Sequence, residues 1–254
     1  MPQKRNRKRA ISRSVPEAAA TAKTPGGLLL PSDKPAPTGA QAPTGGQAPT
    51  AQLARKRRIA AGWGVFLLAA ACASVNVTKA VHVDDTAYLE IARGIRADPL
   101  HPMRHAFLWQ ENTPAPAFKT NQPHLLFYIQ ALVMAVFGES ELAQHLLMAL
   151  MVWGALWAFY LLAALLVPEA PLFLTALFAL GPSLLPGQNL MTDVPQTGLW
   201  ALFYWAVLTA GDGRERKRYL LAAVCIAAAS LIKYTSLVLL IVLPVVQVVD
   251  SPPF

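Results

Sequence analysis

The chain of 254 residues is 54% hydrophobic and only 14% charged, with a mean hydropathy of +0.38; a water-soluble domain of this length needs more charge to cover its surface. The net charge of +8 sits at one end, because residues 1–58 carry twelve Lys and Arg against Glu17 and Asp33, and residues 59–254 sum to −2. The basic isoelectric point is therefore a property of a tail, and nucleic-acid binding by the body of the chain loses its electrostatic basis.

Residues 1–58 are rich in Pro, Ala, Thr, Gly and Gln, which predicts a disordered, basic, cytoplasmic tail. The basic run from Lys4 to Arg9 reads as a solvated segment that helps to fix orientation. The first apolar run begins only at Ile59, too late for a cleaved signal peptide, so it is expected to persist as an anchor. Residues 59–79 are long enough to cross a bilayer, and Arg55, Lys56, Arg57 and Arg58 directly precede them. Positive residues beside a span stay in the cytoplasm, so the chain is expected to emerge outside near Val81.

An outer loop, residues 80–141, comes next. Tyr88, Ile91, Ala92 and Ile95 fall at i, i+3, i+4 and i+7, one face of an amphipathic helix suited to a membrane surface. Residues 124–138 are apolar but short. Residues 142–167, 172–187 and 194–210 read as the second, third and fourth spans, and a basic loop with Arg214, Arg216, Lys217 and Arg218 follows. If residues 124–138 crossed the bilayer, that loop would lie outside. If they lie in the interface or re-enter, four crossings separate the two basic segments and both are cytoplasmic. Length and charge agree on the second arrangement, which puts Asp84, Asp85 and Asp193 on one outer face.

Residues 219–249 are too long for one span and are interrupted by Lys233, Tyr234, Thr235 and Ser236. They divide into a fifth span ending near Lys233 and a sixth from Leu237. The predicted fold is all-α: a polytopic protein of the cytoplasmic (inner) membrane with about five to six transmembrane helices, and amphipathic membrane-surface helices in its first outer loop. Residues 59–254 form the predicted transmembrane module, expected to be truncated at its C-terminus because the chain stops just past the sixth span.

Few residues in this frame can carry chemistry. Asp84 and Asp85 open the amphipathic helix. One reading makes Asp85 an N-cap and Asp84 a favourable charge at the helix dipole; the other makes them carboxylates at the mouth of a membrane cavity, able to take a proton from a hydroxyl. Asp193, two residues before Pro195, stands at the outer start of the fourth span, where an acid is costly unless paired, solvated or used. Lys233 lies at a similar level, either snorkelling to the interface or binding a lipid phosphate. His124 heads the short apolar segment and is expected to face the same cavity. His101 and His105 are four apart, but Pro102 disfavours a shared helical metal site. Cys72 and Cys225 lie in apolar runs and read as packing residues. No phosphate-binding glycine loop is present.

Taken in order, these motifs resemble the N-terminal half of the GT-C glycosyltransferases, in particular the bacterial family 39 group related to protein O-mannosyltransferases and aminoarabinose transferases. The resemblance rests on four features. Asp84 and Asp85 follow the first span, with Tyr88 and Ala92 behind them. Asn121, Gln122, Pro123, His124 and Leu125 lead into a short helix that ends in Phe137, Gly138, Glu139, Ser140 and Glu141. Asp193, Val194 and Pro195 stand at the outer start of span four, and Leu231, Ile232, Lys233 and Tyr234 lie late in span five. The family pattern carries His or Lys where this chain has Gln122, and a second Pro where it has His124.

The resemblance implies a mannosyltransferase-like enzyme that moves a sugar from a polyprenyl-phosphate donor to a glycan, lipid or protein acceptor outside the membrane, in contact with membrane lipids. It implies Asp84 as general base, with Asp85 as the other catalytic candidate. Tyr88, Gln122, His124, Asp193 and Lys233 are implied in substrate binding. No cofactor is implied outright; a bound cation or a fixed positive charge would serve to stabilise the departing phosphate. A single carboxylate at the anomeric carbon suits an inverting displacement. Two other readings fit the same segments: a transporter or lipid flippase with Asp193 and Lys233 on its substrate path, and a non-catalytic fragment of a glycosyltransferase.

Overall fold

A computed structural model describes residues 48–108, 113–120, 122–182, 184–185, 189–210 and 215–250; Asn121, residues 1–47 of the expected tail and residues 211–214 of the basic loop lie outside them. The described residues belong to one unit, residues 46–254. Their regular secondary structure is helical apart from one minimal hairpin, in which β1 (Ala106–Phe107) pairs antiparallel with β2 (Ala115–Pro116).

The helices are α1 (Ala48–Asn76), α2 (Val83–Ala97), α3 (Leu125–Phe137), α4 (Glu141–Leu166), α5 (Pro171–Leu180), α6 (Asp193–Leu208), α7 (Glu215–Ile232) and α8 (Leu239–Asp250). The helix α1 begins at Ala48, so residues 48–58 extend it rather than belonging to a disordered tail. Ala, Gln, Leu, Arg and Lys are good helix formers, and Pro49 falls in the first turn, where its missing N–H costs nothing.

Among the described residues, two helices are long and apolar enough to cross a membrane: residues Gln52–Asn76 and Glu141–Leu166. Their outer surfaces are apolar. Leu142, Leu146, Leu150, Trp153 and Trp157 form one exposed face of α4, and Trp63, Phe66 and Leu67 are exposed on α1. Such a surface is unstable in water and suits a lipid environment.

The expected third span is shorter than the sequence suggested. Helix α5 stops at Leu180 after ten residues, about 15 Å of the roughly 30 Å that a spanning helix must cover. The break is local: Gly181 adopts an extended backbone, φ −66° and ψ 161°, as a residue before Pro182 prefers. Helix α3, at thirteen residues, covers about 20 Å and falls short of a crossing, as its length in the sequence implies.

The apolar face of α2 turns inward. Ile91, Ala92 and Ile95 are buried, and Tyr88 packs on the core that α1, α3, α4 and α5 share. That face is satisfied by protein rather than laid on a membrane. A second core joins α6, α7 and the start of α8 through Phe203, Ala206, Ala222, Cys225 and Leu239. Both cysteines are free and buried. Phe159 of α4 stacks on Phe178 of α5 at 4.3 Å, and Arg218 of α7 lies over the Trp205 ring of α6 at 3.9 Å.

The turn from α3 into α4 depends on Gly138, whose backbone lies at φ 70°, ψ −164°, a region that only glycine enters at low cost. Gly138→Ala is expected to destabilise the protein by about 1–3 kcal/mol, read as a lower unfolding midpoint in detergent. An unchanged midpoint would mean that this turn does not adopt that backbone.

Candidate functional site

The site lies where the N-termini of α2 and α6 meet the C-terminal end of α7. Helix α2 is capped by His82, not by Asp85: the His82 ring accepts from the Asp84 N–H at 3.4 Å, while His82 N–H donates to Asp85 Oδ2 at 3.0 Å. This capping box places Asp85 at the third helical position, facing inward at 1% exposure. Its other oxygen accepts from the Leu190 N–H at 2.9 Å. Asp84, one residue earlier, is half-exposed.

Leu190 belongs to the segment between α5 and α6, which is held from several sides. Gln130 Nε2 of α3 donates to the Leu190 carbonyl at 3.0 Å, and Gln144 Nε2 of α4 donates to the Gln130 carbonyl at 3.1 Å. Lys79 Nζ donates to Asn189 Oδ1 at 2.6 Å, and Asn76 Nδ2 to the Leu185 carbonyl at 2.9 Å. Buried backbone groups need such partners wherever helix is absent. Sequence reasoning passed over Gln130 and Gln144, although an amide inside an apolar run is itself a signal, since it is buried only at a cost that hydrogen bonds must offset.

Three residues beyond Leu190, Asp193 opens α6 with Pro195 in the first turn. Asp193 Oδ1 pairs with Lys233 Nζ at 2.7 Å, the lysine side chain 28% and the aspartate 57% exposed. Lys233 is the extended residue, φ −152° and ψ 124°, between α7 and the 3-10 turn Tyr234–Val238, so the break read in the sequence is where the helix ends. That turn is fastened to α6: Gln196 Nε2 donates to Thr235 Oγ1 at 2.8 Å and Ser236 Oγ at 3.0 Å, and Trp200 Nε1 donates to Ser236 Oγ at 3.0 Å.

Tyr88 links the two halves. Its phenol is pushed above the ordinary tyrosine range, first by burial and then by the charges of Asp193 and Asp84, while a hydrogen bond with Thr192 opposes the shift. Asp84 and Asp193 therefore both face Tyr88 closely enough to act on it electrostatically. Burial likewise pushes the Asp85 carboxyl up, against the lowering effect of the two backbone N–H groups and of the neighbouring His82 and Lys79. The Tyr88 ring stacks on Phe127 at 5.1 Å, and His124 meets Phe127 edge-on at 5.5 Å. Burial lowers the His124 pKa. His124 Nε2 and Gln122 Oε1 are buried without a hydrogen-bond partner.

The sequence-derived residues thus fall into two groups. Asp84, Tyr88, Asp193 and Lys233 come together, and His124 adjoins them through Phe127, with Gln122 two residues before it in the chain. Asp85 is turned away into the protein. His101 and His105 stay apart: His101 Nδ1 lies 3.0 Å from Asp98 Oδ2, and His105 packs on Gly94. Of the acids, Asp85 is engaged by two N–H groups and Asp193 by Lys233. No group of three or more metal-ligating side chains occurs among the described residues.

Comparison with curated proteins and with solved structures gives no match. The family model described as dolichyl-phosphate-mannose-protein mannosyltransferase matches residues 121–250, just over half of the chain. The matched part runs from α3 to α8 and holds Gln122, His124, Asp193 and Lys233, with Asp84, Asp85 and Tyr88 preceding it. By this match, and in keeping with its apolar helices, the chain belongs to the dolichyl-phosphate-mannose-protein mannosyltransferase family of membrane glycosyltransferases.

Proposed function

We propose that this protein transfers a sugar from a polyprenyl-phosphate donor to an acceptor hydroxyl on the non-cytoplasmic face of the cytoplasmic membrane, with Asp84 as general base. The observation that carries the reading is the meeting of Asp84, Tyr88 and the Asp193–Lys233 pair at one junction of three helices. In the step itself, the acceptor oxygen attacks the anomeric carbon and its proton passes to the Asp84 carboxylate. The bond from that carbon to the phosphate oxygen breaks, and the lipid phosphate leaves with the electron pair. A phosphate is a good leaving group, so the protein's work is to position both reactants and to balance charge.

Lys233 supplies a fixed positive charge for the departing phosphate, and Asp193 holds it in place. Gln122 and His124, with their unpartnered polar atoms, would contact the donor or acceptor. The family description names mannose, dolichyl phosphate and protein; the proposal here is the wider class, a polyprenyl-phosphate sugar and a glycan, lipid or protein acceptor. With Asp85 buried and Asp193 paired to Lys233, Asp84 is the carboxylate left to act as base, and the displacement is single and inverting.

The proposed topology keeps the N-terminus in the cytoplasm and five to six crossings in the chain. Helix α6, at sixteen residues, reaches about 24 Å, and the apolar part of α7, residues 219–232 after its charged first turn, about 21 Å; both would cross where the bilayer thins around them. The α5 crossing would be completed by the chain between α5 and α6, whose described residues are not helical. Irregular backbone is tolerated at that depth only when protein satisfies it, and Asn76 and Gln130 do satisfy the Leu185 and Leu190 carbonyls.

The test is Lys233→Gln, which keeps length and removes charge. It is expected to raise KM for a polyprenyl-phosphate sugar by about 10- to 100-fold, measured by steady-state transfer in detergent or nanodiscs. A KM within about threefold of the parent would remove Lys233 from the donor site.

A further inference from the structure

Asp85 has the residue type of a second base and the surroundings of a fastener. A side chain 1% exposed cannot reach a substrate hydroxyl, and both of its oxygens already accept from N–H groups of different segments, His82 and Leu190. Leu190 is fully buried, so its N–H has no water as an alternative partner. A carboxylate accepts on both oxygens without offering a donor, which suits two converging N–H groups. The opposite side of the same residue is held by Gln130, itself held by Gln144. Two residues further on, Thr192 contacts Tyr88, and the next residue is Asp193.

We infer that Asp85 is a positioning residue, which clamps Leu190 together with Gln130 and so fixes where Asp193 presents Lys233 to the phosphate of the donor. The inference rests on the proposed roles of Asp84 and Lys233. It divides the adjacent acids: Asp84 meets substrate, and Asp85 acts through the backbone of the α5–α6 segment.

Asp85→Asn tests it, because the amide must point an N–H at one of two N–H donors. Gln130→Leu is the companion variant, breaking the other side of the clamp without touching either acid. In the full chain, both are expected to raise donor KM about tenfold while kcat stays within about threefold. The acidic limb of the pH–rate profile should persist in both. Adding Lys233→Gln to Asp85→Asn should raise KM little further, since both act on one contact. Amide exchange of the peptide carrying Leu190 should quicken in both variants. Loss of turnover and of the acidic limb in Asp85→Asn, with KM unchanged, would make Asp85 a base and overturn the inference, as would unaltered exchange at Leu190. If Asp85→Asn does not fold, the same readings on Gln130→Leu decide. Should Asp84→Asn stay active, the proposed chemistry fails, yet exchange at Leu190 still reports whether the clamp exists.

Discussion

Asp84→Asn is expected to lower turnover by about 10²- to 10⁴-fold, the range for removing a general base, while donor KM changes little. The substitution keeps shape and abolishes proton acceptance at neutral pH. Asp84 is singled out over its neighbour on geometry: it is half-exposed beside Tyr88, whereas Asp85 is buried with both oxygens engaged. Because the cap of α2 uses the His82 ring and the Asp84 backbone N–H rather than the Asp84 carboxylate, the variant should fold and insert like the parent. Transfer from a polyprenyl-phosphate sugar, normalised to folded protein by size-exclusion profile, checks both halves. Turnover within about threefold of the parent would exclude Asp84 from proton transfer.

Gly198→Leu is expected to be the most damaging single change to the packing that carries the site. Helices α4 and α6 approach closely at Gly198, where even a methyl group would sit 2.9 Å from the Ala155 Cα and 3.0 Å from its Cβ. Backbone atoms cannot swing aside as a side-chain tip can, so the helices must separate. Small residues at crossings permit this approach where no hydrophobic driving force pulls helices together, and Ala158 and Ala201 are likewise buried on these two helices. Overpacking of this kind costs about 1–3 kcal/mol and sometimes more, and α6 carries Asp193, so activity should fall along with the unfolding midpoint. Gly154→Ala is the control on α4. A methyl there meets nothing within 4 Å, and alanine gains up to about 1 kcal/mol of helix propensity over glycine. Equal midpoints for Gly198→Leu and the parent would show that the α4–α6 contact is not close.

Much of the frame was legible in the sequence because membrane constraints act on composition. Residues 142–167 read as a span and form α4 within a residue of those limits; Lys233 reads as a helix break and is one. The helix of the expected third span is shorter than its hydropathy suggested, for a physical reason. Hydropathy counts apolar side chains, but Gly181 and Pro182 end the helix and leave Leu184 and Leu185 outside it. The amphipathic face of α2 was found correctly by its period, yet period does not say whether protein or lipid covers it. Here α3 and the core do.

The site divides along the same line. Asp84, Tyr88, Asp193 and Lys233 were recognisable one by one, because an ionisable group beside an apolar run needs a partner or a use. Charge and span counting put them at one expected level, but their contact was not legible, since α2 and α7 are more than a hundred residues apart in the chain and nothing local records it. Gln130 and Gln144 were missed because an amide carries no charge to draw notice, while its worth lies in which buried carbonyl it reaches.

By itself the sequence determined that this is a helical membrane chain with its acids at the ends of apolar runs, because hydrophobicity and charge are sums over residues and need no partner. The tertiary structure decided which of two adjacent acids is accessible. That choice turns on a single N–H, Leu190, arriving from the far side of α5 to take one oxygen of Asp85, and hydrogen-bond satisfaction in a buried site is a property of pairs of residues.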